Sequence, residues 1–205
     1  MQIWDIAPIE STSSSSDSSD DSLAQLLSAV TFASVKHSEQ RRKDIDGTPY
    51  INHVIGVAQL LASNGHTSVH TLQAAILHDT VEDTATTLDE LRDVFGERVA
   101  SIVHECTDDK SLPKQARKQA QIDKAGCVSI EAQQVKLADK LYNLRDLQRC
   151  PPPDWTVHRI KEYYTWARNV TCQMRQASEP LSRLLDDVYA NGTFEKDGVK
   201  YKCLD

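Results

Sequence analysis

The stretch AAILHDTVEDT, residues 74–84, sets an apolar helical run directly against a histidine and three acids. Its alanines, isoleucine and leucine suit a buried helix face. His78, Asp79, Glu82 and Asp83 need partners if they follow that face into the interior. Side chains three or four apart share a helix face, and neighbours stand about 100° apart. His78 and Asp79 can therefore both reach one ion placed between them. If the helix continued, Glu82 and Asp83 would overhang that point, where a carboxylate can take a proton from an attacking water. The alternative is a solvated acidic helix end with a satisfied core histidine.

Outward from this stretch the helical period dominates. Leu23, Leu26, Leu27 and Val30 fall at i, i+3, i+4 and i+7, which predicts a helix with that apolar face. Val54, Val57, Leu60 and Leu61 repeat the pattern, and Leu72, Ala75 and Ile76 do so more briefly. TTLDE, residues 86–90, reads as a capping box, with Thr87 as N-cap and Glu90 at N3. It opens a helix through Leu91, Val94 and Phe95 that Gly96 ends or bends. Val135, Leu137, Leu141 and Leu144 carry another, halted by Pro151–Pro153. A long helix is predicted over about 155–176 and a shorter one near 181–189. Period-2 alternation is confined to TFEKDGVKY, residues 193–201, where Asp197-Gly198 suits a hairpin turn. The fold class is all-α.

The chain divides into three parts. Residues 1–22 are expected to be a disordered acidic tail, because STSSSSDSSDDS at 11–22 has no apolar side chain. A folded domain spans 23–177, and 178–205 form a C-terminal helix and tail. With 205 residues, 40% hydrophobic and 26% charged, the composition is that of one soluble domain. No apolar run approaches the roughly 18 residues of a membrane span, and the N-terminus lacks a secretory pattern. A cytoplasmic or nuclear location is the expectation. The five cysteines (106, 127, 150, 172 and 203) are odd in number, scattered and never in a CxxC pair, which points to reduced structural thiols. A net charge of −7 disfavours nucleic acid as a partner but leaves room for a small phosphorylated substrate on a local basic patch.

Two further segments extend the polar set. In TPYINHVIGVAQLL, residues 48–61, His53 opens an amphipathic helix, a place where a lone histidine is usually structural. In VKLADKLYNLRDL, residues 135–147, Asp139 interrupts an apolar stripe, with Asn143 one turn on. Lys136 and Lys140 offer it salt bridges. Taken together, His53, His78, Asp79 and Asp139 have His₂Asp₂ character. Such a mixed N/O set suits Mn²⁺, Fe²⁺, Zn²⁺ or Mg²⁺ and leaves positions open for water and substrate.

The H…HD…D order resembles the HD-domain metallophosphohydrolases. RRKDIDGTPYINHVIGVA (41–58), AAILHDTVEDT and VKLADKLYNLRDL resemble, more narrowly, the ppGpp hydrolase domain of the RelA/SpoT superfamily, and within it the small stand-alone alarmone hydrolases of animals. The likeness covers about residues 23–176. It implies an HD-domain helical bundle and one Mn²⁺ held by His53, His78, Asp79 and Asp139. It implies that Glu82 and Asp83 orient and activate the attacking water, and that pyrophosphate leaves the ribose 3′ position of guanosine 3′,5′-bis(diphosphate), giving GDP. Asn143 matches an asparagine near the ribose, Tyr163 a tyrosine of the pocket wall, and Arg42 and Lys43 phosphate contacts, with Lys114 a further one. Arg41, Lys118 and Arg149 are expected to be solvated. With no synthetase domain in view, a hydrolase alone is expected.

Two other functions fit the same residues. One is a ribose-phosphate phosphatase acting on another nucleotide such as NADPH. The other is a nucleotide-binding HD module without turnover, against which the Glu82-Asp83 pair speaks. His37, His66, His70, His104 and His158 form no second-metal pattern of the kind a cyclic-nucleotide phosphodiesterase needs, and His66 and His70 are expected in an exposed loop.

Overall fold

The computed structural model describes residues 18–205. The expected tail lies outside the described residues up to position 17; its last residues, Ser18–Ser22, open helix α1 (Ser18–Lys36). Asp21 accepts a hydrogen bond from Gln25 Nε2 at 2.9 Å, one turn on, so an acid read as part of a solvated tail braces a first helical turn.

The apolar face of α1 is rotated from the one the spacing predicts. Leu23 and Leu27 are 62% exposed, while Ala29, Phe32 and Ala33 are buried. The face is chosen by what α1 packs on, which is α3 (Val69–Leu77), next in the chain after α2 (Ile51–Ser63). Small alanines permit a close approach there, and isolated exposed leucines are tolerated at a surface.

Beyond α3 comes a single turn, α4 (Thr80–Asp83), then α5 (Leu88–Cys106). Thr87 caps α5 as predicted, its side chain accepting from Glu90 N at 3.1 Å. The Glu90 carboxylate instead pairs with Lys36 at 2.7 Å, tying α5 to α1. Gly96 (φ 83°) kinks the helix, a conformation that glycine adopts without strain. Helix α6 (Lys114–Lys124) was not foreseen; it buries no residue and so has no apolar stripe to read.

Helix α7 (Ile130–Arg149) is the axis of the domain, with Leu137, Leu141 and Leu144 fully buried. The predicted long helix divides into α8 (Val157–Thr171) and a 3₁₀ turn, Cys172–Ala177. Ser178 caps α9 (Glu179–Asn191) and also bonds His66 Nε2 at 2.6 Å, so His66 is half-buried rather than exposed. His70 lies in α3, not in a loop, and is exposed.

The hairpin forms as expected, β1 (Thr193–Lys196) against β2 (Val199–Lys202). Asp197 (φ 53°) and Gly198 (φ 74°) turn it in the left-handed pair that a type I′ turn needs. Phe194 stacks between Tyr164 and Tyr201. With Leu181, Leu185 and Cys203 it joins the core cluster of the preceding helices. All five cysteines are free thiols. Among the described residues no helix is long and apolar enough to cross a membrane.

Candidate active site

Close packing of α2 on α7 brings the first two site residues together. A Cβ on Gly56 would lie 2.0 Å from Tyr142 Cε2, so only glycine admits that ring. One turn before Gly56, His53 is 1% exposed, and its Nε2 stands 3.2 Å from Asp139 Oδ1.

The third segment enters by a break. Helix α3 stops at Leu77, the chain turns through His78 and Asp79, and α4 adds one turn carrying Glu82 and Asp83. The helix does not continue, as the face argument supposed. Thr80 Oγ1 donates to Leu77 O at 2.7 Å, supplying one of the bonds the broken helix end lacks. His78 Nδ1 donates to Ala75 O at 2.8 Å, which fixes the ring. Its buried Nε2 makes no hydrogen bond, yet lies 3.1 Å from Asp79 Oδ2 and 3.8 Å from Asp139 Oδ1.

Donor atoms of His53, His78 and Asp139 lie within 4.8 Å of one another. Asp79 Oδ2 is 3.6 Å from His53 Nε2 and accepts the Tyr50 hydroxyl at 2.6 Å. Burial opposes charge on Asp79 and Asp139, but the imidazoles, with Lys140 beside Asp139, hold both carboxyls well below their usual range. Burial likewise opposes charge on His78, and Asp79 and Asp139 overcome it, lifting its pKa well above the ordinary value. The site thus favours positive charge at Nε2, whether from a proton or from a cation. An unpartnered buried nitrogen facing carboxylates is a donor set that fits a divalent metal ion.

Glu82 Oε2 accepts Asp108 N at 3.1 Å. Burial, reinforced by Asp108, Asp79 and Asp83, pushes the Glu82 carboxyl up. Asp83 pairs with Lys110 at 2.9 Å through Oδ1 and accepts Gln40 Nε2 at 3.0 Å on Oδ2.

Three cavities share walls. A chamber of about 170 Å³ holds His78, Asp79, Glu82, Asp83, Asp139 and Asn143. Tyr50, Asp83 and Asn143 also line a cavity of about 310 Å³ containing Arg42, Lys43 and Tyr163. Lys43, Trp155 and Tyr163 in turn border an outer basin of about 1020 Å³ with Lys114, Lys118, Arg159 and Trp166. Four of the five residues expected to contact substrate therefore line the middle cavity, and Lys114 stands apart in the basin. Arg42 donates to Asn143 Oδ1 at 2.7 Å and Asp146 Oδ2 at 2.9 Å, while Asn143 Nδ2 donates to Asp139 Oδ1 at 2.6 Å. Burial pushes the Tyr163 hydroxyl up to about 12. Lys140 pairs with Asp139 at 2.8 Å, whereas Lys136 donates to Cys106 O.

Sequence reasoning missed Tyr50 and Gln40, and it read Lys110 only as one of the basic residues of TDDKSLPKQARK (107–118) at hand for a phosphate, not as the partner of Asp83. Tyr50 had a signal, since it sits three residues before His53. The contacts of Gln40 and Lys110 with Asp83 had none, because they cross 43 and 27 residues.

A helical domain with buried His and Asp donors at the break of one helix and the flanks of two others defines an HD fold. The chain belongs to the HD domain family, whose profile matches residues 29–165. A Mus musculus relative, guanosine-3′,5′-bis(diphosphate) 3′-pyrophosphohydrolase MESH1, is 53% identical over 167 residues, 81% of this chain and 93% of that protein. The protein of the same name from Drosophila melanogaster is 44% identical over the same shares of each chain. A solved structure, of a metazoan ortholog of SpoT that hydrolyzes ppGpp and plays a role in starvation responses, matches with a TM-score of 0.79. It is 44% identical and covers 81% of this chain and 94% of that one.

Proposed function

We propose that this protein is a Mn²⁺-dependent phosphohydrolase that cleaves the 3′-diphosphate of ppGpp to GDP and pyrophosphate, acting on a cytoplasmic nucleotide pool. One observation carries the reading: a buried donor chamber with an unpartnered His78 Nε2 adjoins, through Asn143, a cavity that carries Arg42 and Lys43. The names of the similar proteins supply the nucleotide. His53, His78, Asp79 and Asp139 would hold the ion. When bound, it supplies Lewis-acid polarisation of a phosphoryl oxygen and neutralises developing charge.

The chain's own groups do the rest. Glu82, its pKa raised by burial and by neighbouring acids, is suited to accept the proton of the attacking water. Asp83, held by donors on both oxygens, orients that water. Asn143 bonds both Asp139 and Arg42, and so couples the donor chamber to the phosphate-binding cation. The Arg42 guanidinium offers a planar fork to a diphosphate, and Lys43, with Lys114 further out, adds point charge. The Tyr163 ring walls the cavity beside the ribose.

The outer basin is far larger than the middle cavity and carries the rings of Trp155, Tyr163 and Trp166. That extra room favours a second reading, release of orthophosphate from the ribose phosphate of a dinucleotide such as NADPH. The test for both is the metal-stripped protein incubated with ppGpp or with NADPH, with and without Mn²⁺. Mn²⁺-dependent pyrophosphate from ppGpp supports the first reading and orthophosphate from NADPH the second. Silence on both with Mn²⁺ bound would sink the enzymatic assignment.

A further inference from the structure

Asp83 is gripped by a chain of hydrogen bonds whose direction can be worked out. Its carboxylate only accepts, so the group facing Oδ2 at 3.0 Å is the Gln40 amide nitrogen. The amide oxygen of Gln40 then faces His37 Nδ1, at 2.6 Å. Nδ1 therefore carries the proton, and Nε2, buried without a partner, is the bare nitrogen of a neutral ring. Burial of His37, 2% exposed, favours that neutral form.

The anchor is rigid at its far end. His37 N and Gln40 N bond Ala33 O and His37 O at the end of α1, and Gln40 O accepts Tyr50 N at 3.1 Å. The His37 ring lies 5.0 Å from that of Tyr50. On the other carboxylate oxygen stands Lys110, half-exposed and on a loop. One side of Asp83 is thus held by a directional relay that runs back to the buried His37 ring, and the other by a solvated ion pair worth little in itself.

Resting on the role given to Asp83 above, we propose that Gln40, oriented by His37, is a positioning residue that fixes the Asp83 carboxylate for alignment of the attacking water. Neither residue lines the donor chamber, and Gln40 borders the middle cavity beside Asp83 while His37 lies behind it. The path runs from the end of α1 to the reaction centre through one amide.

The test uses the full chain loaded with Mn²⁺, ppGpp as the probe, and a double-mutant cycle on Gln40 and Asp83. Gln40→Leu keeps the side-chain volume and removes both hydrogen bonds. It is expected to lower kcat about 10–100-fold, the usual cost of losing an outer-shell partner. KM and Mn²⁺ affinity by calorimetry are expected to change far less than kcat, while Tm falls by a few degrees because the buried His37 N–H loses its acceptor. In an Asp83→Asn background Gln40→Leu is expected to cost nothing more, because residues acting as one unit are not additive. His37→Asn keeps an N–H near the position of Nδ1 and is expected to retain far more kcat than His37→Leu. The proposal is overturned by wild-type kcat in Gln40→Leu, by a full additive loss in the double variant, or by equal losses in the two His37 variants. Wild-type turnover of Asp83→Asn alone would overturn the role of Asp83 itself, an outcome read independently of Gln40.

Discussion

Replacing Lys140 by methionine tests whether Asp139 is poised for a cation. Lys140 and Asp139 are only 10% and 14% exposed at their side chains and lie 2.8 Å apart. Methionine keeps the stem packed near Trp166, over whose ring the ammonium now sits at 5.1 Å. Breaking a buried pair by removing one partner costs about 3–5 kcal/mol, because the other charge is left uncompensated. His78 still faces Asp139, so the lower end applies, and about 3 kcal/mol corresponds to a Tm loss of roughly 6–12 °C in a chain of this size. The metal-loaded protein is expected to behave oppositely. A divalent cation on Asp139 would lie within about 6 Å of the lost ammonium, a repulsion of about 5–6 kcal/mol at an effective dielectric of 20. K140M is therefore expected to bind Mn²⁺ at least tenfold more tightly, and Mn²⁺ is expected to raise its Tm by more than it raises that of wild type. Differential scanning fluorimetry of stripped and loaded protein, with calorimetric titration of Mn²⁺, reads both effects. A stripped K140M within 2 °C of wild type, or weaker Mn²⁺ binding, would refute the reasoning.

Three further outcomes are expected. Glu82 has a folded pKa above its unfolded value of 4.5, so its charge lowers stability progressively as pH rises from that value through the folded pKa. Glu82→Gln is accordingly expected to raise Tm at pH 7.5, with the gain vanishing below about pH 4.5, while kcat falls 10²–10⁴-fold; a lower Tm at pH 7.5 would contradict this. Arg42→Lys keeps the charge but loses the fork, and KM for ppGpp is expected to rise about tenfold, the worth of one charge-assisted bond, with kcat nearly constant. Phe194→Ala is expected to cost about 3–5 kcal/mol, measured by urea denaturation, with no change in kcat at 25 °C; a loss under 1 kcal/mol would mean the hairpin is not part of the core.

The residues whose donor atoms converge were legible because each stands in a local pattern. His53 begins an apolar helix, His78 and Asp79 end one, and Asp139 interrupts one. Their convergence came only from a resemblance. Arg42, Lys43, Asn143 and Tyr163 were likewise located through the resemblance, and they do share a cavity. Lys114, drawn from the same source, lies in the outer basin instead. Gln40 left no trace in the sequence, and Lys110 stood out only as one of several basic residues suited to a phosphate, since nothing local ties either to Asp83.

Several interactions that span only a few residues were decided by the sequence. The Thr87 cap, the stop at Pro151–Pro153, the Asp197-Gly198 turn and the stripe of α7 all rest on backbone geometry and neighbouring side chains. The face of α1 was not decided that way. Two candidate stripes share the helix, and burial against α3 selected Ala29, Phe32 and Ala33 over Leu23 and Leu27. Nor was the break at His78, where Thr80 takes up a freed carbonyl and lets Asp79 turn toward His53. Helix α6, the grip on Asp83 and the approach of α2 to α7 over Gly56 belong to the same group. Each depends on groups tens of residues apart, and only the packed core holds them at bonding distance.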